Sequence, residues 1–215
     1  MKKLTMRELK ELWTPYFRAK EVGLKKVMKF ELLERVAEID KMALNDREQC
    51  LDSLIRLNFD EGFNFPLQDP RIWKFVLELF RKKKEELDPD YSVFLCNYYG
   101  AKGVYEIIGM EPSELLELTL KIKGKNENVA KALVLDYIDT LDFALHELPH
   151  ALIIDREVCV GLIKRLTALL LEYPKLKTVK NRFKGDAELY IQLFEKWDHY
   201  ESKDSDIRFE EWNSL

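Results

Sequence analysis

The segment from Val129 to Tyr173 constrains the fold more strongly than any other part of the sequence. It is the most apolar stretch of the chain, and it reads as two long helices joined by the pentapeptide HELPH at positions 146–150. Helices that are this rich in Leu, Val and Ile must bury much of their surface against other elements. We therefore predict that this helix pair lies at the centre of the fold and that the remaining helices pack around it.

A scarcity of turn-forming residues favours helices elsewhere as well. The 215 residues include only 8 glycines and 7 prolines, whereas strand-rich folds need many tight turns. Capping signals recur, since Thr5 stands three residues before Glu8, and Asp69 and Asp88 each precede a proline. We predict an all-α fold of nine or ten helices, stacked mainly as antiparallel pairs in a helical-repeat-like arrangement. Residues 1–215 are expected to form a single domain with a short acidic docking segment at about 202–215.

Several details of this prediction concern where helices begin, bend and end. Pro15 is expected to kink or split the first helix, and Asn45 with Glu48 to form a capping pair for the third. A helix over residues 91–109 is expected to bend at its internal glycines or to make a close helix contact there. Asp155 is expected to cap the helix that follows the pentapeptide.

The region 112–148 reads as a helical hairpin. Its first helix ends in the sequence LKIKGKNEN at positions 120–128, and its second helix begins with Ala130, Ala132 and Leu133. This rhythm resembles one unit of a tetratricopeptide-type repeat. The resemblance implies stacking of helix pairs.

The pentapeptide matches H-E-x-x-H, in which two histidines one helical turn apart bind zinc and the glutamate activates the bound water. Here these residues are His146, His150 and Glu147. Pro149 opposes a regular helix through the motif because it has no N–H and its ring clashes with the preceding turn. We therefore predict a helix end, with no catalytic residue, metal or cofactor. The alternative is a zinc-dependent hydrolase that uses His146 and His150 as ligands and Glu147 as the general base.

Two charged runs have both a functional and a structural interpretation. Asp139 and Asp142 are three positions apart, close enough for neighbouring carboxyl groups, although a solvated helix face is favoured. Residues 175–184 are basic and are suited to phosphate contacts. They lack interleaved aromatic residues apart from Phe183, so a solvated connecting helix is favoured. The net charge of −4 also opposes nucleic acid as a partner, and we do not expect one.

The compartment is predicted from the cysteines and the N-terminus. Cys50, Cys96 and Cys159 lie far apart within apolar helical patterns, which is typical of buried free thiols in a reducing compartment. No apolar run follows the basic N-terminal residues, and none is long enough to span a membrane. We predict a cytoplasmic protein without a membrane partner.

Function is predicted from charge and aromatic content. Residues 186–215 carry nine acids against three basic residues, a balance that suits a basic protein partner. We predict a non-catalytic protein-binding domain, and more specifically a bacterial immunity or antidote protein that neutralises a basic partner. Aromatic side chains are enriched among interface anchors. The candidate exposed contact residues are Tyr98, Tyr99, Trp197, Tyr200 and Trp212.

Overall fold

The structure is a computed structural model that describes residues 5–144, 153–176, 192–193, 196–197 and 199–200. Residues 5–144 and 153–176 form nine α-helices, and the described ranges contain no strand. The helices are α1 (Met6–Glu21), α2 (Lys25–Lys41), α3 (Leu44–Glu61), α4 (Pro70–Glu85), α5 (Pro89–Asn97), α6 (Val104–Ile108), α7 (Pro112–Lys123), α8 (Glu127–Ala144) and α9 (Arg156–Glu172). The all-α prediction is confirmed, and the count for the described residues agrees with nine or ten.

Consecutive helices pack as pairs because short connections turn the chain back on itself. The most extensive pairings are those of α1 with α2, α7 with α8, and α8 with α9. No helix in the described ranges is both long and apolar enough to cross a membrane.

The described residues group into two compact units. Unit 1 contains the described residues up to Glu86 together with Tyr98–Ile107. Unit 2 contains Leu87–Asn97 together with the described residues from Ile108 onward. The single-domain organisation and the docking segment at about 202–215 stay predictions, and that segment lies outside the described residues.

Several helix starts follow the sequence signals. The Thr5 backbone N–H donates to Glu8 Oε2 at 2.7 Å, and the Glu8 N–H donates to Thr5 Oγ1 at 3.2 Å, which completes the capping box of α1. Asp69 accepts a hydrogen bond from the Arg71 N–H at 3.1 Å at the start of α4. Asp88 accepts from the Asp90 N–H at the start of α5. Each bond satisfies a donor that the first helical turn leaves without an intrahelical partner.

Other local predictions are wrong in part. Pro15 lies inside one continuous helix, so it does not split α1. Asn45 lies inside α3, which begins at Leu44 and has no side-chain cap. Asp155 does precede α9, but its side chain makes no capping hydrogen bond. Helices α3 and α9 therefore begin without the side-chain caps that the sequence predicted.

The region 91–109 contains parts of two helices, α5 and α6, with a break at residues 98–103. Gly103 is the last residue of this break, and two features of its geometry require a glycine there. Its φ of +85° is unfavourable for residues with a side chain. A Cβ at this position would also lie 3.1 Å from Leu77 Cδ1. The prediction of one helix over 91–109 is therefore wrong, whereas the expected close contact of a glycine with another helix occurs at Gly103.

The core of unit 1 contains an aromatic cluster. Trp13 packs edge-on against Tyr16 and Phe65, with ring centroids 5.6 and 5.4 Å apart. Phe17 and Phe63 extend the cluster towards solvent. Edge-to-face pairs of this kind add stability beyond the area that they bury.

The core of unit 2 is mainly aliphatic but contains one buried hydroxyl pair. Ser92 on α5 and Thr119 on α7 are both buried, and their oxygen atoms lie 2.8 Å apart. Each hydroxyl also lies within hydrogen-bond distance of a backbone carbonyl. The Ser92 hydroxyl is 3.0 Å from the carbonyl oxygen of Asp88, and the Thr119 hydroxyl is 2.8 Å from that of Leu115. Both buried polar groups are thus satisfied.

The three cysteines are free, as predicted. Burial raises the pKa of the Cys50 thiol to about 11, and the charge of Glu38 acts in the same direction. Burial and then the charge of Asp136 raise the pKa of Cys96 to about 12. Burial also raises the pKa of Cys159. Thiolates are the reactive form of cysteine, so these thiols are protected in the folded protein.

Alkylation with iodoacetamide at pH 8 should therefore be at least about 100-fold slower at Cys50 and Cys96 in the native protein than after unfolding in urea. Mass spectrometry of the labelled peptides measures both rates. Because the folded state holds these protons more tightly, the free energy of unfolding should also fall as pH rises from about 9 towards 11. Equal labelling rates in the native and unfolded protein would contradict the burial of these thiols.

Candidate protein-binding groove

Unit 2 contains an open groove that runs along α8 between α7 and α9. Helix α8 packs against both neighbours, so it forms the floor while the other two helices form the walls. The groove has a volume of about 590 Å³. We call it the α8 groove, and it is lined by Glu117, Leu120, Lys121, Gly124, Lys125, Leu133, Tyr137, Arg165, Ala168, Leu169, Glu172 and Tyr173.

The floor of the α8 groove follows from the helical periodicity of α8. Val129, Leu133, Tyr137 and Leu141 are four positions apart, so they share one face of the helix. All four are buried. Leu133 and Tyr137 also line the groove, and their position on the core face gives it a floor that is fixed by packing.

A polar cluster connects the floor to both walls. The Tyr137 hydroxyl donates to Glu117 Oε1 on α7, and Arg165 Nη1 on α9 donates to the same oxygen at 3.1 Å. One carboxylate therefore accepts hydrogen bonds from the floor and from the opposite wall. Charge-assisted hydrogen bonds of this type hold side chains in a defined orientation.

Electrostatics keeps the Tyr137 hydroxyl protonated near neutral pH. Burial raises the pKa of Tyr137, and the hydrogen bond and charge of Glu117 raise it further, whereas Arg165 acts in the opposite direction. The phenol is thus a donor at neutral pH. The arrangement is suited to recognition by hydrogen bonding.

The far end of the groove carries a second ion pair. Lys125 Nζ lies 3.3 Å from Glu172 Oε1 and 6.0 Å from the centre of the Tyr173 ring. Just past the groove, Lys175 Nζ lies 3.0 Å from Glu127 Oε1. Exposed pairs such as these contribute little to stability, so their charges remain accessible to a partner at small cost.

A cluster of acids occupies another part of unit 2. Burial raises the pKa of Asp136, and the charges of Asp139 and then Glu111 raise it further. Asp139 therefore lies close enough to Asp136 to interact with its charge, and the pairing of Asp139 with Asp142 stays a prediction. Within the described residues, no group of three or more His, Cys, Asp or Glu side chains could hold a metal ion.

The structure describes only some of the predicted site residues. His146, Glu147, His150 and Trp212 lie outside the described residues, so the zinc alternative stays a prediction. Of the basic run 175–184, only its first two positions are described.

The predicted aromatic contact residues in the described ranges are partly or fully buried. Tyr98 is half-buried, and its ring lies 5.5 Å from those of Phe59 and Trp73. Tyr99 packs against Tyr105 with ring centroids 5.7 Å apart. Their role in binding stays a prediction.

The predicted contact residues Trp197 and Tyr200 are also fully or partly buried. Trp197 is only 7% exposed, and its ring lies 5.5 Å from that of the half-buried Tyr200. Both therefore offer limited surface in this structure, and their role in binding also stays a prediction.

Sequence reasoning missed the polar cluster of the α8 groove. Glu117 is 20 positions from Tyr137 and 48 from Arg165, so no local motif connects them. The one available signal was Tyr137 itself, a tyrosine within an otherwise aliphatic stripe, because a buried tyrosine hydroxyl needs a partner. Scans of protein-family models and searches of curated proteins and of solved structures find no match to this chain.

Proposed function

We propose that this chain is a non-catalytic binding protein that accommodates a segment of a partner protein in the α8 groove. The observation that carries this proposal is the groove itself, with a rigid floor formed by α8 and polar walls formed by α7 and α9. Paired helices present grooves of this kind to partner helices or loops. Leu120 and Leu169 offer apolar contacts above the buried floor, while the charged side chains of the walls fix the orientation of the bound segment.

We further propose that the partner is basic, as in an immunity or antidote protein that neutralises a basic target. Residues 186–215 carry nine acids against three basic residues, a difference of six. The free cysteines support a reducing compartment such as the cytoplasm.

The groove is tested by affinity capture with matched arginine variants. Arg165→Ala removes the exposed arginine from the groove wall, where it contacts Glu117. Arg7→Ala is the control, because Arg7 also pairs with one glutamate, Glu11 at 2.9 Å, but lies on α1 in unit 1. The wild type and both variants are used as bait in a native lysate, and the captured proteins are quantified by mass spectrometry.

We expect the wild type and Arg7→Ala to retain the same partner. Arg165→Ala should capture at least about tenfold less of it, because the guanidinium would donate hydrogen bonds to the segment bound in the groove. Raising the salt concentration should weaken capture, because the proposed contacts are partly electrostatic. If Arg165→Ala captures as much partner as the wild type does, the partner binds to a surface other than the α8 groove. If no protein is enriched at any salt concentration, the binding function is wrong.

A further inference from the structure

The solvent side of α2 carries an exposed apolar surface. Val27, Phe30 and Leu33 lie on this helix and are each more than 40% exposed. Phe30 is the most exposed of the three, at 60%. We call this surface, with the exposed Ala37, the α2 face.

Helical geometry explains why the α2 face is open. Leu32 and Ile39 are the buried residues of α2. Phe30 and Ile39 are nine positions apart, which at about 100° per residue places them on opposite sides of the helix. The side that packs into unit 1 therefore cannot include Phe30. A helix with apolar residues on both sides suits burial on both sides.

The charges of α2 are divided between its two ends. Residues 22–30 contain three lysines, Lys25, Lys26 and Lys29, and no acid, which gives a charge of +3. Residues 31–41, which reach the end of α2, contain four acids together with Arg35 and Lys41, which gives a charge of −2. No acid lies in the first turn of α2, where the helix dipole favours negative charge.

We infer that the α2 face is the contact surface of a homodimer in which the α2 helices of two copies pack antiparallel. An antiparallel pair places the +3 end of each helix beside the −2 end of the other, whereas a parallel pair places like charges together. The acidic half of the partner helix also supplies the negative charge that the first turn of α2 lacks. Phe30 and Leu33 lie near the middle of the helix, where a two-fold axis brings the two copies of each residue close together.

Other occupants fit this surface less well. A uniformly acidic partner, or an anionic surface, would complement residues 22–30 but would repel residues 31–41. The α2 helix of a second copy carries both the acids that complement residues 22–30 and the lysines that complement residues 31–41. The helix is only about 25 Å long, so the contact is smaller than the roughly 1,600 Å² of a standard interface. We therefore expect a weak dimer with a dissociation constant of tens of micromolar.

Sedimentation equilibrium of the full chain tests the dimer at protein concentrations from about 10 µM to 1 mM. The wild type should change from monomer to dimer over this range. Phe30→Glu should weaken the dimer at least about tenfold, because it places a charge in the centre of the contact. Ile122→Glu is the matched control, since Ile122 on α7 is 58% exposed, and it should dimerise as the wild type does. Circular dichroism checks that both variants keep their helix content.

A charge reversal tests the antiparallel orientation. In the first variant, Lys25, Lys26 and Lys29 are all changed to Glu, so both halves of α2 are negative and the dimer should be lost. In the second, Glu34→Lys with Glu38→Lys makes both halves positive, and that dimer should also be lost. An equimolar mixture of the two variants should form a heterodimer that weakens with salt.

Three results of these experiments would contradict the proposed dimer or its orientation. A wild type that stays monomeric up to about 1 mM excludes the dimer and leaves the α2 face for a different protein. Unchanged dimerisation of Phe30→Glu moves the contact to another surface. A dimer that survives the change of the three lysines to Glu overturns the antiparallel orientation.

Discussion

Trp13→Ala is expected to lower the free energy of unfolding by about 3–5 kcal/mol, as is typical of aromatic deletions in a core. Trp13 is 1% exposed and packs edge-on against Tyr16 and Phe65. The truncation loses both ring contacts and leaves a cavity that neighbouring rings cannot fill without changing their packing. Urea denaturation followed by circular dichroism measures the difference.

Leu44→Ala provides the comparison for this change. Leu44 is 59% exposed at the start of α3, so its truncation should alter the free energy of unfolding by less than about 0.5 kcal/mol. A similar small loss for Trp13→Ala would contradict the aromatic core of unit 1.

Leu133→Ala is expected to destabilise unit 2 by about 2–5 kcal/mol. Leu133 is buried in the core of unit 2 and also forms part of the floor of the α8 groove. Its truncation should therefore affect two measurements. The midpoint of urea unfolding should fall, and capture of the groove partner should weaken at temperatures where the variant is still folded.

The control for Leu133→Ala is Leu171→Ala. Leu171 lies on the groove wall helix α9 but is 70% exposed and does not line the groove. It should leave both unfolding and capture nearly unchanged. A Leu133→Ala variant that loses stability but binds the partner normally would show that the groove floor is not part of the binding surface.

The helical class could be predicted from the sequence because its signals are local. The capping box of Thr5 and Glu8 and the N-cap of Asp69 each depend on residues within one turn. The Asn45 signal failed because α3 begins one residue earlier, at Leu44, so that Asn45 lies in the first turn and not at the cap position. A capping preference is worth only about 1 kcal/mol and does not fix a helix start by itself.

The candidate site could not be predicted in the same way. The α8 groove depends on Glu117, Tyr137 and Arg165, which three separate helices bring together. Their distances in sequence are too large for any spacing rule. The α2 face was missed for a different reason, since Val27, Phe30 and Leu33 fit a helical pattern equally well whether they face the core or the solvent.

The buried hydroxyl pair of Ser92 and Thr119 has a consequence for how α5 and α7 fit together. Aliphatic side chains can interdigitate in more than one alignment, because dispersion forces are not directional. A shift of one helical turn, about 5.4 Å, would separate the two oxygen atoms and leave each hydroxyl with only the carbonyl of its own helix. The directional bond between Ser92 and Thr119 thus favours the observed alignment of α5 and α7 over the neighbouring ones.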